Sequence, residues 1–156
     1  MRVNVGGMAT RFGHVNLVAR DWRALAGFYE HVFGCEPSGA ERDIAGDWVE
    51  RATGVRGAHI RGRHLRLPGH GPDGPTLEIF TYEEPAAQSY PTSDRLGFAH
   101  VAFRVDDVPR TLERLLEAGG QRLGEVAHAD VEGEAHLEVV YARDPEGNIV
   151  ELQRWS

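Results

Sequence analysis

The sequence predicts an α+β protein built from two copies of one βαβββ module, and two repeated patterns support this. Residues 12–15 read FGHV, and 86 residues later residues 98–101 read FAHV. Each half also ends in an apolar run that contains one glutamate, Glu78 in the first half and Glu151 in the second. Because 156 residues suit one domain, we interpret the halves as fused modules of a single domain.

The first module begins with a strand. Residues 12–18 alternate between polar and apolar side chains, which is the period of a half-buried strand. Asp21 is predicted to cap the following helix, whose apolar residues recur at helical spacing until Gly34. Further strands are predicted near 35–38, over 58–67 and over 76–82.

The first module is longer than the second. The spacing from histidine to glutamate is 64 residues in the first half and 51 in the second, a surplus of about 13 residues. We place this surplus between Ala45 and Gly74, where residues 47–52 suit one or two helical turns.

The second module repeats the order of elements. A strand is predicted over 97–105, and Asp107 is predicted to cap a helix that stops at Gly119 and Gly120. Strands near 121–127, 135–142 and 148–154 follow, and the DPEGN segment at 144–148 supplies the last turn. The predicted layout is a flexible leader (1–10) and one domain (11–156), comprising module one (11–83), a linker (84–96) and module two (97–156).

Composition narrows the class of protein. A net charge of −7 makes nucleic acid and anionic membranes poor partners, because both attract basic surfaces. No run of about 18 apolar residues exists to span a bilayer. The single cysteine, Cys35, excludes a disulfide within the chain and favours a cytoplasmic location.

Strand parity predicts where the repeated polar residues point. Leu77 and Ile79 are expected to face the helices, so Glu78 should point to the other face, and the same alternation holds around Glu151. His14 likewise lies on the polar side of its strand. The histidines and glutamates of both modules are therefore expected on the concave face of one curved mixed sheet, with the helices on its convex side.

Two imidazoles and two carboxylates are a ligand set for a divalent ion such as Zn, Ni, Co, Mn or Fe(II). The alternative is that each histidine is an ordinary hydrogen-bonded residue of a sheet. A buried glutamate is harder to explain in that way, because an unpartnered buried carboxylate costs several kcal/mol or shifts its pKa. The repeat-related positions favour a metal site formed by His14, Glu78, His100 and Glu151.

Other polar residues have the parity expected of substrate contacts, although a solvated sheet rim is an equally good explanation for each. His64 and His136 lie at nearly equivalent places in the two halves. The full candidate set is Asn16, His64, Arg66, His136 and Glu138. Aromatic candidates for the pocket wall are Trp48, Phe80 and Tyr90.

Over residues 12–153 the chain resembles the vicinal oxygen chelate superfamily, also called the glyoxalase, bleomycin-resistance and dioxygenase fold. The resemblance is carried by FGHV at 12–15, LEIF at 77–80, FAHV at 98–101 and, most specifically, DPEGNIVEL at 144–152. It implies paired βαβββ modules that form a half-barrel around one metal ion. The family positions that match His14, Glu78, His100 and Glu151 hold the ligands.

The His, Glu, His, Glu set is similar to that of bacterial lactoylglutathione lyases (glyoxalase I) and, with one change, of methylmalonyl-CoA epimerases. The resemblance therefore implies a metal-dependent lyase or isomerase that stabilises an enediolate or enolate by chelating vicinal substrate oxygens. Glu151 is the expected base and Glu78 its counterpart across the metal, with Glu50 as a weaker candidate base.

Two other functions stay open at this stage. An Fe(II)-dependent extradiol-type dioxygenase would use His14, His100 and Glu151, and the presence of Glu78 argues against it. A non-catalytic binding protein for an antibiotic or toxin would often lack the ligands altogether. The substrate, a glutathione hemithioacetal, a CoA thioester or another small molecule, is not determined by the sequence. A homodimer is expected, because open sheets leave edges and apolar surface to cover.

Overall fold

The computed structural model describes residues 3–5, 8–87, 89–131, 133 and 135–156 and confirms the α+β class. The first half contains β1 (Val3–Val5), β2 (Met8–Thr10), β3 (His14–Val18), α1 (Trp22–Phe33), β4 (Glu36–Ala45), α2 (Asp47–Thr53), β5 (His59–Arg66) and β6 (Thr76–Tyr82). The second contains β7 (His100–Arg104), α3 (Val108–Glu117), β8 (Gln121–Arg122), β9 (Ala127–Asp130), β10 (His136–Arg143) and β11 (Ile149–Trp155). In the segment expected to be a leader, β1 pairs with β2.

The chain divides into two compact units. Unit one comprises Met1–Ala26 and Gly34–Pro85, and unit two comprises Gly27–Phe33 and Ala86–Ser156. The boundary near residue 85 lies within the segment predicted as a linker. The second half of α1 belongs to unit two, where the Phe33 ring stacks on Phe103 with centroids 4.0 Å apart.

Unit one contains a sheet in the order β3-β6-β5-β4. Strands β3 and β6 are parallel and the other pairs are antiparallel. One face carries the fully buried Leu65, Leu77 and Ile79. On the other face, Ile60 packs with Val49 of α2, so the predicted surplus forms a short helix that covers one end of this face.

Unit two contains a sheet in the order β7-β11-β10-β8, and β9 also pairs with β10. Helix α3 buries Val108, Leu112 and Leu115 and packs on β10 and β11. The buried Val150 and Leu152 lie on one face of β11, as the alternation around Glu151 predicts.

The strand hydrogen bonds of each module close within that module. In both, the first strand pairs in parallel with the last, β3 with β6 and β7 with β11. Pairing among the described main strands therefore forms two mixed sheets, where the sequence led us to expect one continuous sheet.

Both helix caps are confirmed. The Asp21 carboxylate accepts hydrogen bonds from the backbone N–H groups of Arg23 and Ala24 at 2.9 and 3.1 Å. The Asp107 carboxylate accepts one from Arg110 at 2.9 Å. These contacts satisfy donors that the first turn of a helix leaves free. None of the helices in the described residues is long and apolar enough to cross a membrane.

Candidate metal site

Glu78 lies at the centre of a polar cluster in unit one. Asn16 of β3 and His64 of β5 are its direct neighbours in the sheet register. The Asn16 amide donates to Glu78 Oε2 at 3.0 Å, while His64 Nε2 lies 2.9 Å from Oε1. His14, two residues before Asn16, places Nε2 3.2 Å from Oε2. Glu78 is only 9% exposed. These polar partners offset the cost of burying its carboxylate among apolar strands.

Glu151 is the centre of the corresponding cluster in unit two. His100 Nε2 lies 2.8 Å from Glu151 Oε2, and the sheet register places Tyr141 directly opposite Glu151. Burial, followed by the negative charge and hydrogen bond of Glu151, raises the pKa of the Tyr141 phenol. The His100 and Tyr141 rings meet edge to face, with centroids 5.2 Å apart. The phenol therefore stays protonated at neutral pH and can donate to the carboxylate.

The chemistry of these donors fits a divalent cation. Neutral imidazoles and carboxylates are ligands of borderline metals. Two ligands that each lie about 2.1 Å from one ion at a right angle are about 3 Å apart. The contacts from histidine to glutamate, 2.8 to 3.2 Å, match this separation. In the part of the chain that the structure describes, however, no three such side chains already gather around one point as a metal group.

The structure thus brings His14 to Glu78 and His100 to Glu151, each pair within its own unit. That the two pairs serve one ion remains a prediction. The parity argument holds at each position, because the neighbours of each glutamate along its strand are buried on the opposite face.

Two of the candidate substrate contacts, Asn16 and His64, lie against Glu78 itself. Arg66 follows His64 by two residues on the same face of β5, but its guanidinium pairs with Glu36 at the edge strand β4. His64 also contacts Thr76, whose Oγ1 lies 2.7 Å from its Nδ1. Burial lowers the pKa of His64, which favours its neutral form at neutral pH.

The strand face predicted for His136 and Glu138 is wrong. The unbroken register of β10 on β11 pairs Tyr141 with Glu151, and it pairs Glu138 with Arg154. Side chains alternate along a strand, so His136 and Glu138 project from the face opposite Tyr141. His136 contacts Asp130 of β9 at 2.9 Å. Its predicted equivalence to His64 fails, because Tyr141 holds that place.

Sequence reasoning missed Tyr141 and Thr76. The 144–148 turn fixes the antiparallel register of β10 on β11, and counting outward from it would have placed Tyr141 opposite Glu151. Thr76 has no comparable signal, because its role depends on the ring orientation of His64.

The aromatic candidates have separate environments. Phe80 lies on the Glu78 face beside the cluster of Val49 and Ile60. Trp48 is exposed on α2, and Tyr90 is exposed near the Arg143 guanidinium, 6.0 Å from the ring centroid. Glu50 also lies on α2. Of these aromatic candidates, Phe80 therefore shares a strand face with the candidate ligand Glu78.

Comparison with known proteins places this arrangement in a family. The sequence profile of the glyoxalase/bleomycin resistance protein/dioxygenase superfamily matches residues 11–152. A search of curated proteins found no match.

Solved structures share the fold. A glyoxalase family protein from Bacillus cereus is 22% identical, with 93% of each chain covered and a TM-score of 0.77. A glyoxalase family protein from Enterococcus faecalis is 26% identical, with 92% of this chain and 96% of that chain covered and a TM-score of 0.59. A glyoxalase I mutant from Zea mays is 23% identical over 92% of this chain and 44% of that chain, with a TM-score of 0.63.

Proposed function

We propose a catalytic function for this chain, which belongs to the glyoxalase/bleomycin resistance protein/dioxygenase superfamily. Members of that superfamily typically bind a divalent metal. The proposed activity is that of a metal-dependent lyase or isomerase of glyoxalase or epimerase type. The observation that carries it is a histidine in contact with a glutamate whose side chain is only 11% exposed in the first module and 13% exposed in the second.

His14, Glu78, His100 and Glu151 are the proposed ligands, within one chain or across two chains of a homodimer. A bound divalent ion supplies Lewis acidity, which stabilises negative charge on two vicinal oxygens of a small-molecule substrate. Two carboxylates would neutralise the dication. The metal is one of Zn, Ni, Co, Mn or Fe(II). A cytoplasmic location fits the lone cysteine, Cys35, which is buried.

Glu151 is the proposed base. It takes a proton from a carbon next to a carbonyl and returns it to the substrate, a transfer that contributes roughly 10²- to 10⁴-fold to the rate. Tyr141, which lies opposite Glu151, orients the carboxylate through its hydrogen bond. Glu78 has contacts with Asn16 and both neighbouring imidazoles, so it is the more constrained of the two glutamates and the better ligand.

The deciding experiment is elemental analysis of the purified chain, followed by an activity screen after chelation and return of single metals. The screen uses the hemithioacetal of methylglyoxal with glutathione, and a branched acyl-CoA thioester in deuterated water. Metal-dependent product formation, or deuterium uptake at the carbon next to the carbonyl, supports the proposal. Oxygen uptake with a catechol under the same conditions, without either isomerisation, would replace it with the dioxygenase reading.

A further inference from the structure

We propose that His64 is a further ligand of the ion, supplied by the first module beside His14 and Glu78. This inference rests on the proposed metal-dependent function and adds a residue to its site. All three side chains belong to unit one, so the ligands proposed for this module come from one compact unit.

The first observation is the direction of the His64 ring. Its Nε2 faces Glu78 Oε1 at 2.9 Å, while the His14 Nε2 faces the other oxygen at 3.2 Å. The two rings meet edge to face with centroids 5.3 Å apart. Both imidazoles therefore present the same ring nitrogen to one carboxylate, from two strands that flank it. Each nitrogen faces its own oxygen of Glu78, and an imidazole binds a metal only through a ring nitrogen that carries no proton.

The second observation is the contact behind the ring. His64 Nδ1 lies 2.7 Å from Thr76 Oγ1. Histidine ligands of metals almost always donate their other ring N–H to an oxygen, which fixes the tautomer and the ring orientation. A hydroxyl can donate or accept, so Thr76 serves both states: it donates to Nδ1 when Nε2 carries the proton, and accepts from Nδ1–H when Nε2 binds an ion.

The second module differs at the matching position. Tyr141 lies opposite Glu151 just as His64 lies opposite Glu78. A protonated phenol is not among the usual ligands of these metals, whereas imidazole is. The third donor is thus specific to the first module.

An extra imidazole ligand assigns separate tasks to the two glutamates. His64 would give the first module a third ligand beside His14 and Glu78. Glu151 would then be needed less as a ligand and would be available to move a proton.

The test is an NMR measurement of the histidine ring nitrogens in the full chain labelled with ¹⁵N-histidine. Without metal, His64 is expected as the Nε2–H tautomer, and His64→Gln identifies its signals. Saturating Zn(II) is expected to convert His64 to the Nδ1–H tautomer with a metal-shifted Nε2. An Nε2–H signal that persists at saturation would overturn the inference, and this measurement on the unsubstituted chain does not depend on how the variants fold.

Metal affinity supplies the second arm, measured by calorimetry with Zn(II) and by the absorbance of Co(II). His64→Gln is expected to weaken binding by more than about tenfold, and Thr76→Val by roughly 10- to 100-fold, the range for losing a partner behind a ligand. His128→Gln is the matched control, because the His128 ring stacks on His136 in an exposed pair outside the site. It should leave the affinity unchanged.

The outcomes separate this inference from the proposed function. If the unsubstituted chain binds neither ion, both fail. If His14→Ala and Glu78→Gln abolish binding while His64→Gln retains full affinity, the proposed metal site stands and His64 is not a ligand.

Discussion

The two glutamates occupy matching places in similar sheets, but their neighbours differ. Glu78 lies between Asn16 on one strand and His64 on the other, whereas Glu151 lies between Ala102 and Tyr141. The backbone scaffold repeats, and each glutamate keeps a histidine from the first strand of its module. The side chains on the flanking strands do not repeat, so the duplicated fold supports two imidazoles around the glutamate in one unit and one imidazole and a phenol in the other.

This difference predicts unequal roles for the glutamates. Glu151→Gln is expected to lower kcat by about 10³-fold, since it removes the base, while most metal is retained. Glu78→Gln should release the metal, because it removes the carboxylate that two imidazoles share. The measurements are the turnover and the metal content of the two variants under the same conditions. If Glu151→Gln loses its metal together with its activity, the two roles are assigned the wrong way round.

The connections that lead into the last strands also differ between the units. In unit two, buried Asp144 accepts hydrogen bonds from Tyr29, from the backbone of Glu146 and from Asn148. Asp144→Ala leaves these donors unpaired in a buried site and should lower the free energy of unfolding by about 3 kcal/mol. Urea denaturation measures this loss.

Asp73→Ala is the matched control for that substitution in unit one. Asp73 is exposed, and its backbone oxygen accepts from Arg11, so removing its side chain should change stability by less than about 0.5 kcal/mol. Equal losses for the two variants would contradict the structural role assigned to the Asp144 turn.

Close packing over Gly62 is a further feature of unit one. A Cβ at this position would lie 2.0 Å from the Ile79 carbonyl oxygen and 2.5 Å from the Phe80 ring. Gly62→Ala is expected to cost about 2 kcal/mol, because backbone must shift to admit the methyl group. Gly124→Ala in unit two, where the nearest atom is 3.9 Å away, should be nearly neutral. Thermal unfolding of both variants checks the contrast.

Substitution of Tyr141 tests whether the cluster around Glu151 serves proton transfer. Tyr141→Phe removes the hydroxyl that orients Glu151 and is expected to lower kcat about tenfold, less than the roughly 10²- to 10⁴-fold contributed by the base itself. Metal affinity should stay close to that of the unsubstituted chain. A parallel loss of metal would show that the phenol supports a ligand instead of a base.

The smallest expected effect is a pH dependence of stability. It arises in unit one, outside the Glu78 cluster. His59 lies between Asp43 and Glu83, with contacts of 2.6 and 2.9 Å. The hydrogen bond that His59 donates to Asp43, and then the one that it donates to Glu83, raises the pKa of His59 above its usual 6.5. The resulting stabilisation is fully present below pH 6.5 and is lost as the pH rises through the higher folded value.

An NMR titration of His59 checks the direction of this shift. In addition, His59→Asn should reduce the difference in unfolding free energy between acidic and mildly alkaline pH. An ordinary pKa in the titration would remove the basis of the prediction.

The sequence alone determined the repeat, the α+β class and the positions of both helix caps, because these depend on local patterns. Asp21 and Asp107 precede amphipathic runs, and a cap needs only its own first turn to form. The strand alternation around Glu78 and Glu151 is equally local, so the faces of these residues followed from neighbours two positions away.

The tertiary structure decided which strands lie side by side, and this set the neighbours of each glutamate. Register across strands depends on turn lengths and hydrogen-bond pairing, and one residue of error moves a side chain to the opposite face. That is why His136 and Glu138 were placed on the wrong face and Tyr141 was missed. It is also why His64, expected as a substrate contact, is proposed as a ligand only once its ring is seen between Glu78 and Thr76.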